Sequence, residues 1–376
     1  MKKTIPFAFN FVYFAAFASL MPFIVLYYQE LDFSGAQISL LTGLPPLVTL
    51  FFSPFWTNLA DSTGRHKQIM SAGIITTMAV AALFPFLQSF ALVLLFILSL
   101  NIFIAPLTSF ADSATMTMLA GEKEMYGRIR LGGTLGWGLA APVAGALIKV
   151  YGLDVTFWIC ASMLLIGLFV SQGFSFSKHE PTVAKGGILE LLSKRHWILF
   201  LILAFFGGIA FASTAAFFSP YMIELGGDEF HVGIALLVAT LTEIPVFFFG
   251  DRLLKKFGSK GLLFLALLIT GVRSLLFAVS NAPIFAILAQ LLNGFTFPAM
   301  WIAGVSYADE NAPDGLKSTA QGLFGAMTFG FGSAVGGLIG GILLEGRGGR
   351  ALFMVYGLIV LLGIGVIMLM EKRAGK

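Results

Sequence analysis

The chain has 376 residues, 58% of them hydrophobic and 11% charged, with a formal net charge of +4. A soluble domain carries about 25% charged residues, so a chain this poor in charge cannot cover a water-facing surface and most of it is expected to face lipid. The single cysteine, Cys160, excludes an internal disulfide and a cysteine metal cluster, and basic residues confined to short loops exclude a nucleic-acid face.

Crossing the ~30 Å hydrocarbon core takes about 20 predominantly apolar residues. On that criterion the chain divides into twelve spans, near 5–28, 36–59, 68–87, 90–119, 128–150, 154–175, 197–222, 231–250, 260–280, 283–308, 319–344 and 351–370. The basic start at Met1–Lys3 runs into the first span without a small-residue cleavage site, so no cleavable signal peptide is expected. The fold expected is an all-α membrane protein of twelve transmembrane helices in two pseudo-symmetric six-helix bundles. Their bounds would be 1–176 and 197–376, with a polar linker at 177–196.

Orientation follows from the loops. With the N-terminus inside, the inner face collects Lys2, Lys3, Arg65, Lys67, Lys123, Arg128, Lys178, Lys185, Lys194, Arg195, Arg252, Lys255, Lys256, Lys260, Lys317, Lys372, Arg373 and Lys376. The outer face holds Lys149, Arg347 and Arg350. By the positive-inside rule this predicts an inner-membrane protein with both termini in the cytoplasm.

The two halves look related. Loop two–three reads Asn58-Leu-Ala-Asp61-Ser-Thr-Gly64-Arg65-His66-Lys67, and 194 residues later loop eight–nine reads Arg252-Leu-Leu-Lys255-Lys256-Phe-Gly258-Ser-Lys260. The same shift lays Gly136-Trp-Gly138 over Gly330-Phe-Gly332. Repeats of this kind place a central site between halves that rock against each other. Gly132 and Gly136 in helix five, and Gly332, Gly336 and Gly340 in helix eleven, have the spacing that lets helix backbones approach closely. Static packing and a sliding interface both explain them.

An ionisable residue inside a span costs about 2.5–3.5 kcal/mol on insertion scales, so each one needs a partner or a function. Asp112 lies in span four and Arg130 opens span five; Glu243 is twelve residues into span eight and Arg273 thirteen into span nine. They are expected to form one acid–base pair per half, Asp112 with Arg130 and Glu243 with Arg273, around a water-filled cavity. Register-fixing salt bridges would explain the same residues. A carboxylate there can change protonation as the cavity opens, and the Arg fork suits a carboxylate or adjacent hydroxyls. Asn10 and Tyr13 share a face of span one, and Gln290 and Asn293 a face of span ten followed by Thr296. These are read as further substrate-binding residues, with Tyr13 and Trp137 as stacking groups. Tyr27, Tyr28, Tyr221 and Trp197 are assigned to the aromatic belts. The histidines His66, His179, His196 and His231 fall in or beside loops at no metal-ligand spacing, so no metal is expected.

Asp61-Ser-Thr-Gly64-Arg65-His66-Lys67 resembles the loop motif of the major facilitator superfamily, with Thr57 and Ser62 departing from the usual Gly and basic residue. Within it, Tyr126-Gly127-Arg128-Ile-Arg130-Leu-Gly-Gly133-Thr-Leu-Gly136-Trp137, and the spacing of 18 between Asp112 and Arg130, are similar to the branch that holds the lactose and phenylpropionate permeases. The resemblance implies a transporter working by alternating access. Asp61 and Arg65 would be gating residues at the cytoplasmic face, and Trp137 would stand where that branch stacks a tryptophan on sugar. It also places Asn293 and Thr296 where that branch has a proton-handling His and Glu, neither of which these side chains can replace. Proton coupling then falls to Asp112 or Glu243.

The function expected is secondary transport of a small polar organic solute, sugar- or nucleoside-like, by proton-coupled symport. Two alternatives stand beside it: import of an aromatic carboxylate, which Arg273 would suit, and proton-antiport export of drugs or metabolites. The exporters' Gly-Pro motif late in helix five is degraded here to Ala141-Pro142-Val-Ala-Gly145-Ala146. No catalytic constellation is present and no sizeable soluble domain exists to carry a signal, so an enzyme is not expected. Gly315-Leu-Lys317-Ser-Thr lacks the glycine spacing of a P-loop, which argues against direct ATP use. No cofactor is expected; the partners are the solute, protons and membrane lipid, and the protein is expected to be a monomer.

Overall fold

Inside a bilayer each backbone N–H must bond within its own segment, so long apolar runs become helices. The computed structural model describes residues 4–119, 125–176, 191–313 and 316–374. Lys2, Lys3, Lys123, Lys178, Lys185, Lys376 and most of the expected linker lie outside them, as do the side chains of Lys372 and Arg373.

The helices are α1 (Thr4–Glu30), α2 (Gly35–Thr63), α3 (His66–Phe86), α4 (Phe90–Leu119), α5 (Tyr126–Tyr151), α6 (Val155–Ser171), α7 (Arg195–Glu224), α8 (Glu229–Phe248), α9 (Gly250–Val279) and α10 (Pro283–Asn311). The next, Thr319–Met370, is 52 residues long and breaks at Gly348, where φ is +77°. It therefore holds two crossings, α11 (319–347) and α12 (349–370), and the described residues carry twelve in all. An even number brings both ends of the chain to one face, here the termini face.

Several spans expected to be continuous are interrupted. α1 turns at 21–23 around Pro22, and α4 is interrupted between Ile104 and Leu107 at Pro106. α10 runs Pro283–Ala289, tightens to a 3-10 segment at Gln290–Phe295, and leaves helical geometry at Thr296 (φ −100°, ψ −95°) before Phe297-Pro298. α11 is α-helical to Gly325 and then passes through a π segment over Ala326–Gly332. Three of these interruptions adjoin prolines, which carry no N–H and so cannot continue the ladder. The loop expected after α8 is also shorter than read: residues 250–257 are helical, and the break falls at Gly258, φ +67°.

The repeat is visible in local geometry. Ser34 caps α2 in a reciprocal box with Gln37, and 194 residues later Asp228 caps α8 in the same way with His231. Asp32 and Gly226, also 194 apart, both have positive φ. The Tyr27 hydroxyl donates to the Phe84 carbonyl at 3.3 Å, and Tyr221 donates to Phe277 in the second half. Further along, the offset changes. Gly136 faces the carbonyl of Phe11, and the glycine facing Phe205, 194 residues beyond Phe11, is Gly332. Gly152 and Gly348, which end α5 and α11, are likewise 196 apart. The alignment of Gly136 and Gly138 with Gly330 and Gly332 is therefore corrected by two residues.

Within the first half α5 and α6 pack on α1, and α2 and α3 pack on α4; within the second, α11 packs on α7, and α9 on α10 and α12. The halves meet chiefly along two seams, with a smaller contact between the end of α1 and α7. α2 lies on α11, where Gly35 faces the Gly341 carbonyl, Thr42 Oγ1 donates to the Gly337 carbonyl at 3.0 Å, and the Ile342 N–H donates to Ser39 Oγ at 3.1 Å. α5 lies on α8, where Gly145 faces the backbone of Glu229 and Gly233 that of Pro142. Both seams are tightest away from the termini. The contact of Leu50 with Gly330 lies further toward the termini on α2, and beyond it Phe51, Phe55 and Leu59 are exposed.

A methyl group at Gly136 would be driven into the Phe11 backbone, whereas Gly127 faces open space. Gly136→Ala is expected to lower stability by about 1–3 kcal/mol and Gly127→Ala to leave that packing untouched, as read by thermal unfolding of purified protein.

Candidate functional site

The polar residues form two separate clusters, one per half. In the first, Asn10 is buried on α1, donates to the Pro6 carbonyl at 2.9 Å, and accepts from Arg130 Nη1 at 2.9 Å. The Arg130 guanidinium also lies 4.6 Å from the centre of the Phe14 ring, a cation–π contact that offsets part of its desolvation. Asp112 has Arg130 and Tyr126 as charged and polar neighbours, yet no ion pair joins it to Arg130 among the described residues. Its Oδ1 is buried without a hydrogen-bond partner. The expected pair is thus loosened, because Asn10 occupies the guanidinium instead. Tyr13 is buried among the rings of Phe9, Phe14 and Phe17, so it belongs to α1 packing rather than to an open wall.

In the second cluster an amide replaces the expected direct ion pair. Asn293 Nδ2 donates to Glu243 Oε1 at 2.8 Å, while Arg273 donates through Nη1 to Asn293 Oδ1. Arg273 also donates to Gln290 Oε1 at 3.1 Å and to Thr214 Oγ1 at 3.5 Å. Thr296 Oγ1 donates to the Asn293 carbonyl at 2.7 Å. The break in α10 positions these groups: Gly294 presses on the carbonyl of Thr242, and its N–H donates to Thr242 Oγ1 at 3.1 Å. Arg273 is 4% exposed, Gln290 1% and Thr296 1%, so they lie inside the helical packing, while Glu243 is only half-buried. Two donors, Arg273 Nε and Gln290 Nε2, are buried without acceptors.

Trp137 is half-buried on α5, one residue before Gly138, which packs against Thr240 on α8. Thr240 is three residues before Glu243, so the seam between the halves brings the indole's helix alongside the second cluster. Sequence reading missed Thr214, Thr242 and Tyr126. The signal for the first two was a hydroxyl interrupting an otherwise apolar run; for Tyr126 there was none beyond its place in the α5 motif. Phe211, Phe297, Trp301 and Phe329 form an aromatic cluster joining α7, α10 and α11, with centroids 5.2–6.1 Å apart; nothing in their spacing predicted it.

Among the described residues Asp61 and Arg65, the expected gating residues, make no bond to the second half. Asp61 Oδ1 pairs with His66 Nε2 at 2.8 Å, and that ring stacks on Phe176. Arg65 lines a cavity of about 250 Å3 with Trp56, Gln68 and Phe103. The glycine contacts that join the halves gather away from this face. The far face is closed instead, and there Lys149 on α5 pairs with Asp228 at the start of α8 at 2.7 Å. His231 holds the same carboxylate at 2.6 Å. Among the described residues no group of His, Cys, Asp and Glu could hold a metal ion.

Comparison with known proteins defines the class. A profile described as the MFS_1 like family matches residues 7–355. The chain is 29% identical to the maltose permease of Geobacillus stearothermophilus, over 99% of this chain and 95% of that one. It is 25% identical to the multidrug resistance protein MdtG of Enterobacter lignolyticus, over 96% and 90%. Its fold is that of the nucleoside transporter NupG, with a TM-score of 0.86 at 18% identity, covering 99% of each chain. These likenesses define a multi-pass membrane transporter, not an enzyme. The chain belongs to the MFS_1 like family, within the major facilitator superfamily.

The Lys149 ammonium, with His231 adding to it, holds the Asp228 carboxyl well below the usual carboxylate range. A depressed folded-state value means that the contact contributes fully above the ordinary value of about 3.9, weakens as pH falls below it and is lost as pH falls through the depressed value. The far face is therefore expected to loosen below about pH 4, and Lys149→Gln to loosen it at neutral pH. Distances between spin labels at Val150 and Phe230 would read both changes.

Proposed function

We propose that this transporter carries a small polar ring solute, sugar-like first and nucleoside-like second, in symport with protons. The observation that carries the reading is the Glu243–Asn293–Arg273 chain beside the seam that bears Trp137. A half-buried carboxylate there offers hydroxyl-bonding oxygens, and an indole offers a face for the apolar side of a ring. The family's maltose permease member adds weight to a sugar.

In this reading the substrate-binding set is Asn10, Tyr13, Asp112, Arg130, Trp137, Glu243, Arg273, Gln290, Asn293 and Thr296. Burial divides it: Glu243, Trp137 and Asp112 meet the solute, while Asn10, Asn293, Gln290 and Thr296 position the arginines. Glu243 and Asp112 carry the proton, since Asn293 and Thr296 cannot. Domains at 1–176 and 197–376 rock about the seams, Asp61 and Arg65 gate the termini face, and the basic loops place that face in the cytoplasm of an inner membrane. The molecule works as a monomer. The arrangement is then the inward-facing one, closed outside by the Lys149–Asp228 contact.

A second reading, proton-antiport export, is favoured by the similarity to the multidrug resistance protein. The degraded Gly-Pro motif in α5 counts against it. Uptake of labelled maltose, glucose and uridine into proteoliposomes under an imposed pH gradient separates the two. Gradient-driven accumulation of one of them supports symport, and its absence together with proton-driven extrusion overturns it. Glu243→Gln is expected to cut uphill accumulation by at least tenfold while leaving exchange of solute for solute. Solute-driven pH change undiminished in both Glu243→Gln and Asp112→Asn would remove the carboxylates from the coupling. Trp137→Ala should raise the apparent KM about tenfold, and Trp137→Phe much less, as expected for a stacking contact of about 1 kcal/mol beyond its area.

A further inference from the structure

Residues 249–257, between α8 and the break at Gly258, carry three cations against one acid. The segment is helical from 250, with Leu253 and Leu254 turned toward the second-half core. Arg252, Lys255 and Lys256 all stand exposed on the other side. They are spaced three and four apart, where like charges repel along a helix. Asp251 is the one acid in the stretch, four residues before Lys255. Among the described residues neither Asp251 nor the three cations enter an ion pair.

Among the described residues, the partners of Arg252 and Lys256 are aromatic. The Arg252 guanidinium lies 4.9 Å from the Phe249 ring centre and the Lys256 ammonium 5.2 Å from that of Phe257. These rings are themselves exposed, Phe249 by 40% and Phe257 by 39%, and the neighbouring Phe248 by 79%. Exposed phenylalanines flanked by unpaired cations, at the end of two membrane-crossing helices, match the boundary between acyl chains and headgroups.

The repeat supplies an internal control. At the 194-residue offset, Arg252 corresponds to Asn58, Lys255 to Asp61 and Lys256 to Ser62. Residues 56–63 thus hold one acid and no cation, and that acid is satisfied by His66. The first loop sets its own cations, Arg65 and Lys67, beyond the turn at Gly64, whereas the second half sets three ahead of the turn at Gly258, on a stretch where the first half anchors without any.

We propose that segment 249–257 is a docking surface for the phosphate headgroups of anionic phospholipids, with Arg252, Lys255 and Lys256 binding phosphate and Phe248, Phe249 and Phe257 seated among the acyl chains. Each such cation changes affinity for an anionic surface about fivefold.

The test reconstitutes the full chain in phosphatidylcholine bilayers containing spin-labelled phosphatidylglycerol or spin-labelled phosphatidylcholine. It measures the preference of the protein-contacting shell for the anionic lipid. The triple variant R252Q/K255Q/K256Q is expected to lose at least tenfold of that preference. R65Q/K67Q/R128Q, which removes equal charge from the same face, should keep most of it. Equal loss in both variants, or none in the first, overturns the proposal. So does complete displacement of the lipid by millimolar glycerol phosphate, which would make the surface a site for a soluble phosphate. Thermal unfolding of both variants separates loss of binding from loss of fold.

Discussion

A polar group carried into the bilayer finds no water there, and every feature of this transporter's interior follows from where its polar groups find partners instead. Arg130 takes the amide of Asn10, and Arg273 takes those of Asn293 and Gln290. The same rule governs backbone freed by broken helices: the Gly294 N–H, left over at the interruption of α10, goes to Thr242 on α8. Ser333 donates to the Thr328 carbonyl at 3.0 Å within the π segment of α11. Irregular backbone at this depth survives only where a neighbouring helix or hydroxyl answers it, and that ties each break to a contact between helices.

Close approach is the second half of the same economy. Where hydrophobic pressure between helices is absent, contact depends on backbones coming near enough for dispersion and weak polar contacts to accumulate. Glycines deliver this both inside the halves, as at Gly136 and Gly332, and between them, as at Gly35 and Gly341. The inter-half seams combine hydroxyl-to-backbone bonds and an exposed ion pair with a buried apolar cluster that runs through both halves.

Much of this was legible in the chain. Twelve crossings followed from apolar run lengths, and the glycine spacing in helices five and eleven pointed to the contacts they make. The caps at Ser34 and Asp228 confirm the repeat through residues that the loop comparison had not used. What could not be read was discontinuity. Pro298 and Gly294 advertise a break in α10, but its position at Thr296 depends on Thr242 from another helix. For the same reason the Glu243–Arg273 pair was foreseen in its members but not in its connection, because antiparallel spacing gives depth and not azimuth. The two-residue change of offset at α5 and α11 was hidden because short Gly-x-Gly patterns match at neighbouring registers equally well.

The amide at Asn293 has a consequence of its own. A carboxylate and a guanidinium in direct contact would largely cancel, leaving a compact neutral unit with little field beyond it. With an amide between them, which neither gains nor loses a proton, opposite charges stay separated across α8, α9 and α10. Whenever Glu243 is ionised, the interior of the second half thus holds a dipole anchored by hydrogen bonds at both ends. On the proposed site, a solute entering beside that dipole would meet an oriented field before touching any one residue.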